Sequence, residues 1–204
     1  KEVNVTPELL LQHYTVCEAH QKLDILFSFI KSHLKNKSIV FLSSCAQVRF
    51  VHELFCGLQP GVPLLALHGK IKQVKRTQIY FDYLRKPNAV LFATDVAARG
   101  LDFPDVDWVV QVDAPEDVEM YIHRVGRTAR NNKSGKSLLF LTSSEEEGMK
   151  HVIEDKGIPI KKIQVNPEKT VSVSKRASSI VASNQETNRL AKKCFTAYLR
   201  SVLL

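Results

Sequence analysis

Short apolar runs rich in β-branched and aromatic residues alternate along this chain with segments of helical period, and that alternation restricts the fold more than any other feature. The strand candidates are Ser38–Leu42, Leu64–Leu67, Ala89–Ala93, Trp108–Val112, Ser137–Leu141 and, more faintly marked, Ile163–Val165. Between them Lys22–Leu34 places Leu23, Leu26, Phe27, Ile30 and Leu34 on one stripe, and Gln47–Leu58, Lys70–Leu84, Asp117–Arg130 and Ser143–Asp155 read as further helices. Strand, helix, strand repeated this often predicts an α/β fold with a parallel sheet covered on both faces. Right-handed crossovers then gather the carboxyl ends of the strands along one edge, where such folds bind their ligands.

With 204 residues, 44% hydrophobic and 25% charged, the chain can bury one full core and carry an appendage. Its longest apolar stretches are strand-sized, well short of the roughly 20 residues that cross a bilayer, so no membrane span is expected. Lys1–Gln12 lacks the apolar core of a signal peptide. The four cysteines, Cys17, Cys45, Cys56 and Cys194, form no CxxC pair and have no histidine at zinc spacing, which predicts reduced thiols inside a cell and no metal site.

Charge is concentrated at one end. Residues 161–204 hold nine Lys or Arg against two acids, a net +7 of the chain's +8. Such a tail suits a polyanion, RNA in particular, although a merely solvated extension satisfies the same composition. After Pro167 the strand–helix rhythm stops. Ser172–Ser183 is rich in Ser and basic residues, and Arg189–Leu204 carries Leu190, Cys194, Ala197, Leu199 and Val202 at helical spacing. The expected division is a leading or linker segment over 1–18, an α/β domain over 19–166, and a basic, partly helical extension over 167–204 that continues past Leu204.

Two segments at predicted strand ends carry chemistry. Thr94-Asp95-Val96-Ala97-Ala98-Arg99-Gly100-Leu101-Asp102 reads as a tight loop whose small residues Ala97, Ala98 and Gly100 admit a sugar-phosphate chain. Thr94 and Arg99 would donate to phosphate there, and Asp102 would accept from a ribose hydroxyl. A plain strand-to-helix turn is the alternative. In Tyr121–Arg130, His123, Arg127 and Arg130 fall within about 60° on a helix, with Arg124 further round. Clustered guanidiniums repel one another unless an anion faces them, and the Arg fork suits a triphosphate. A solvated basic face or salt bridges to neighbouring acids would explain the same residues.

Taken in order, these strings resemble the C-terminal, RecA-like domain of DEAD-box RNA helicases. Ile39-Val40-Phe41 is similar to motif IV, His68-Gly69 with Gln73 and Arg76 to the HGxxxQxxR element, Thr94–Asp102 to motif V and Tyr121–Arg130 to motif VI, over residues from about 20 to 165. The resemblance implies that Arg127 and Arg130 are arginine fingers for ATP held mainly by an N-terminal RecA-like domain, and that Asp102 binds the ribose. His68, Gly69, Gln73, Arg76, Thr94, Arg99 and Gly100 would hold the RNA backbone without sequence preference, aided by a helix starting near Lys70. His123 and Arg124 would maintain contacts within motif VI and across the interdomain face. One departure is Ala129, where the family usually has Gly.

The 204 residues contain no GxxxxGK[ST] loop, no Asp-Glu-Ala-Asp box and no Ser-Ala-Thr triplet, so by this resemblance the phosphate cradle and Mg²⁺ ligands belong to the N-terminal domain. Gly135-Lys136-Ser137 mimics the end of a Walker loop, but Arg130 stands where its Gly is required. Alone, the chain is expected not to turn over ATP. The segment Ile158–Pro167 together with Ala191–Leu204 is similar to the C-terminal extension of DEAD-box helicases of ribosome biogenesis, which implies small-subunit pre-rRNA processing, a nucleolar setting and pre-ribosomal protein partners. Two alternatives stay open: a non-catalytic RNA-binding or scaffolding module of helicase ancestry, and a DNA-directed helicase.

Overall fold

The apolar runs form strands because both of their faces are covered. In the computed structural model, which describes residues 6–130 and 132–203, the strands are β1 (Leu10–Val16), β2 (Lys37–Phe41), β3 (Leu64–Leu67), β4 (Ala89–Ala93), β5 (Trp108–Gln111), β6 (Gly135–Leu141) and β7 (Lys161–Lys162). They make one sheet in the order β3-β4-β2-β5-β6-β1-β7, every neighbouring pair parallel. The helices are α1 (Lys22–Ser32), α2 (Cys45–Leu58), α3 (Gln73–Arg85), α4 (Asp95–Ala98), α5 (Val118–Val125), α6 (Ser143–Asp155), α7 (Ser174–Ser183) and α8 (Gln185–Leu203).

Strand parity sorts the core into two layers. Val40, Val90, Phe92, Val110, Leu138 and Phe140 pack with Leu26, Phe27 and Ile30 of α1 and Val48, Val51, Leu54 and Phe55 of α2. The alternate residues Ile39, Phe41, Leu91, Ala93 and Val109 meet Tyr83 of α3 and Ala97 and Ala98 of α4, while Leu139 and Leu141 meet Tyr121 and Val125 of α5 and Ile153 of α6. The predicted parallel, doubly covered sheet is thus what the chain builds.

Several expected boundaries move. Residues 1–5 of the expected leading segment lie outside the described residues, and Leu10–Val16 of that segment is a sheet strand seated between β6 and β7. Its buried polar members hide it in the sequence: Gln12 donates to Thr6 at 3.1 Å and accepts from the Tyr121 hydroxyl at 2.8 Å. The last strand is Lys161–Lys162 rather than Ile163–Val165, and α3 begins at Gln73, because Ile71 N–H is taken by His68 O in a turn. The helix expected over 117–130 ends at Val125, after which Gly126 to Ala129 turn and Ala129 is left-handed at φ 55°. Arg127 and Arg130 therefore project from a post-helical turn, and the helical-wheel angle among His123, Arg127 and Arg130 does not apply.

The extension is more ordered than its composition suggests. Asp24 of α1 accepts from Val173 N–H at 2.9 Å and Ser28 Oγ from Val171 N–H at 2.8 Å, strapping the chain across α1. Ser174–Ser183, read as polar chain, is α7: Ile180 packs onto the α2 surface at Gly57, and Arg176 donates to Leu58 O at 2.8 Å. Helix α8 then lies along α2 with Thr187 and Leu190 buried.

Candidate functional site

The site is assembled at the carboxyl ends of β4, β2 and β5. Strand β4 ends at Ala93, and Thr94 caps α4 by accepting Ala97 and Ala98 N–H through its carbonyl, each at 3.1 Å. Ala97 and Ala98 are fully buried against β4 and α3. Their small size thus serves packing, not the approach of a sugar-phosphate as expected. The Thr94 hydroxyl is also enclosed, without a hydrogen-bond partner, so Thr94 does not present a donor to solvent. What faces outward is Arg99, Gly100 at φ 76°, and Asp102.

Arg124 is the interior member of the arginine set. Only 3% exposed, it donates through Nε and Nη2 to the two Asp95 oxygens, both at 2.7 Å, and through Nη1 to Gln111 Oε1 at 3.3 Å and Asp113 O at 2.8 Å. Its guanidinium also sits 5.5 Å from the centre of the Phe41 ring. A fork satisfied on every side ties α5 to α4 and to the end of β5, and it is not available to a ligand.

Arg127 and Arg130 differ. Arg127 donates to Leu101 O at 2.7 Å and to His123 O at 3.3 Å but has no carboxylate partner among the described residues. Arg130 donates to Gly126 O at 2.7 Å and forms an ion pair with Asp102, whose side chain is 72% exposed. Burial, and the Arg130 and Arg99 charges beside it, push Arg127 below the ordinary guanidinium range, against the opposing pull of Asp102. Arg99, Arg127 and Arg130 thus gather beside one exposed carboxylate that pairs with Arg130, a surplus of positive charge at the rim that a multiply charged anion would relieve. His123 lies exposed on the same rim.

A second group of predicted residues follows β3. His68 is 8% exposed, and its Nδ1 accepts Lys70 N–H at 3.3 Å; desolvation, then Arg49, Lys70, His52 and Lys75, lowers its pKa. Gly69 and Gln73 are exposed, while Arg76 donates to Ala97 O at 3.1 Å and so links α3 to the turn after β4. The two groups are joined by that contact along one edge of the sheet.

Sequence reasoning missed Asp95, Gln111, Asp113 and Lys22. The Asp113 carboxylate accepts from Gln47 Nε2 at 2.7 Å, Ser43 N–H at 3.1 Å and buried Lys22 at 3.4 Å. Two polar residues, Gln111 and Asp113, interrupting the end of an otherwise apolar run were the available signal, since burial there demands partners. Among the described residues no cluster of three His, Cys, Asp or Glu could hold a metal, and no helix is long and apolar enough to cross a membrane.

A seven-stranded parallel sheet of this order, with arginines gathered at its carboxyl edge, defines a RecA-like domain of the helicase kind. The chain belongs to the helicase conserved C-terminal domain family, which matches residues 21–132, and within it to the DEAD-box group. It is 52% identical to the probable ATP-dependent RNA helicase DDX10 of Mus musculus and 53% identical to the ATP-dependent RNA helicase DBP4 of Mycosarcoma maydis, over 98% of this chain in each case. The chain spans about a quarter of the length of those relatives, 23% and 22%. Among solved structures it is similar to Mss116p DEAD-box helicase domain 2 bound to an RNA duplex, with TM-score 0.69 and 29% identity over 89% of this chain and 78% of that one.

Proposed function

We propose that this chain is the RNA- and ATP-engaging C-terminal half of an RNA-dependent ATPase that separates short duplexes. ATP, with its Mg²⁺, would be seated on an N-terminal RecA-like domain. Arg127 and Arg130 would meet its phosphates across the cleft, stabilising charge that builds in the transition state, and Asp102 would accept from the ribose. The observation that carries this reading is the Arg130–Asp102 ion pair at the exposed rim, beside an Arg127 with no carboxylate partner among the described residues. Both partners of that pair are groups the nucleotide would claim, so ATP would replace it with phosphate on one side and ribose on the other.

Arg99, the Gly100 backbone, Gln73, Gly69 and the His68 turn would hold the sugar-phosphate chain, and Arg76 would brace α3 against the turn after β4. Thr94 would act through its backbone, since its hydroxyl is enclosed. Contacts of this kind read shape and charge, not sequence. Arg124, with His123 on the rim, would fix the finger segment. The likeness of the extension to that of ribosome-biogenesis helicases supports pre-rRNA processing in the nucleolus, with pre-ribosomal proteins as partners.

The test joins this domain to its upstream half and measures ATP hydrolysis with and without RNA. Wild type should be stimulated by RNA and not by DNA, and Arg127→Ala should abolish the stimulated rate while ATP still binds. An unchanged rate in Arg127→Ala would defeat the reading in favour of a non-catalytic RNA-binding module.

A further inference from the structure

Helix α8 presents a face that the site above does not use. Its inner side is occupied: Thr187 and Leu190 are buried, and Tyr198 lies against Lys22, 5.7 Å from ring centre to Nζ. Its outer side carries Lys192, Lys193, Thr196 and Arg200, all exposed, with Phe195 at 64% exposure between them. From Thr187 to Arg200 the sequence contains no acidic residue, and Glu186 just before is taken by Arg189 and Arg49. Among the described residues Lys192, Lys193 and Arg200 enter no salt bridge.

Keeping three cations that enter no salt bridge and a large aromatic ring together on one exposed face costs self-repulsion and exposed apolar area, which a polyanion with stacking bases removes at once. The start of the helix is tied by an ion pair to α2. Glu186 pairs with Arg49 at 3.6 Å, and Arg49 is the charge that acts most strongly on His68, ahead of Lys70 and Lys75. Arg49, whose charge reaches His68, thus links the His68–Gly69 turn to the first turn of α8 through Glu186.

We infer that the outer face of α8 is a second RNA-binding surface, in which Lys192, Lys193 and Arg200 neutralise phosphates and Phe195 stacks a base of the strand leaving the His68–Gly69 turn. This rests on the proposed RNA path at the sheet edge. It predicts a longer footprint on single-stranded RNA than that edge alone provides.

The experiment uses the domain joined to its upstream half and two single-stranded RNAs, of about 10 and about 30 nucleotides, across a salt series. In the Lys192→Ala, Lys193→Ala, Arg200→Ala triple variant, affinity for the long RNA should fall and the slope of log affinity against log salt should shrink by about 2, each lost phosphate contact contributing roughly 0.7. Binding of the short RNA should be unaffected. Phe195→Ala should weaken the long RNA about tenfold with the slope retained. Arg99→Ala, at the sheet edge, should weaken both lengths. Wild-type slope and affinity for the long RNA in the triple variant overturn the inference. If Arg99→Ala binds both RNAs normally while the triple variant is impaired, the edge reading fails and the α8 surface stands.

Discussion

Arg124 of α5 and Asp95 of α4 are locked in a two-point ion pair, both N···O distances 2.7 Å, that joins the segment bearing Arg127 and Arg130 to the turn after β4. The pair lies 29 residues apart in sequence, with the Arg124 side chain 3% exposed and that of Asp95 18% exposed. Because a buried charge stripped of its partner is left in a poor solvent, Arg124→Ala should lower the unfolding free energy by about 3–5 kcal/mol. Arg124→Lys should recover only part, since an ammonium cannot reproduce the fork. Urea unfolding of the isolated domain measures both.

Gly135 opens β6 directly against the turn that follows α5. A Cβ there would come within 2.5 Å of Ala129 N and 2.9 Å of Ala129 Cβ, and closer still to the Thr128 hydroxyl. Those atoms are held, Thr128 by its hydrogen bond to Val106 O. Gly135→Ala should therefore cost about 2 kcal/mol and displace Arg127 and Arg130 together. Unfolding midpoints and the ATPase rate of the two-domain protein should fall in the same variant.

Asp113 is the hub between the core and the extension: its carboxylate holds Lys22, which also faces Tyr198 of α8. Asp113→Ala strands the Lys22 ammonium, 6% exposed at its side chain, and should cost about 3 kcal/mol. Lys22→Met alone should cost less, and the double variant less than the sum of the two, which a double-mutant cycle reads directly.

Three histidines set a pH response. Burial lowers the pKa of His13, His52 and His68 below the ordinary 6.5. A depressed folded-state pKa favours the neutral form, so this stability is fully present above pH 6.5 and declines as pH falls through that value toward the folded-state pKa values. The carboxylates held low by partners, Asp105 beside Lys133 and Glu146 beside Lys162, respond only below their own ordinary values of 3.8 and 4.5. Denaturation midpoints between pH 7 and pH 5 should fall in wild type and fall less in His52→Gln.

The sequence made the strands legible because burial on both faces forces continuous apolar runs, and Leu64–Leu67 and Ala89–Ala93 lie where those runs predict. β1 was hidden because its buried Gln12 and Thr15 read as solvated residues, and the partners of Gln12, Thr6 and Tyr121, lie elsewhere in the chain. Helical periodicity could not end α5 at Val125, since the left-handed turn at Ala129 depends on the close approach of β6. Motif order marked the edge where the arginines gather. Which arginine is sealed inside and which remain at the rim depends on Asp95, Gln111 and Asp113, a long-range arrangement that spacing does not carry.

The most direct measurement is single-turnover ATP hydrolysis by the two-domain protein at saturating RNA and nucleotide, comparing wild type with Arg130→Ala and Asp102→Ala. Loss of one finger should slow the chemical step by about 10³-fold or more, whereas Asp102→Ala, which frees Arg130 but removes the ribose acceptor, should weaken nucleotide binding far more than it slows hydrolysis. Hydrolysis by Arg130→Ala at the wild-type rate would contradict an arginine that leaves Asp102 to meet the phosphates.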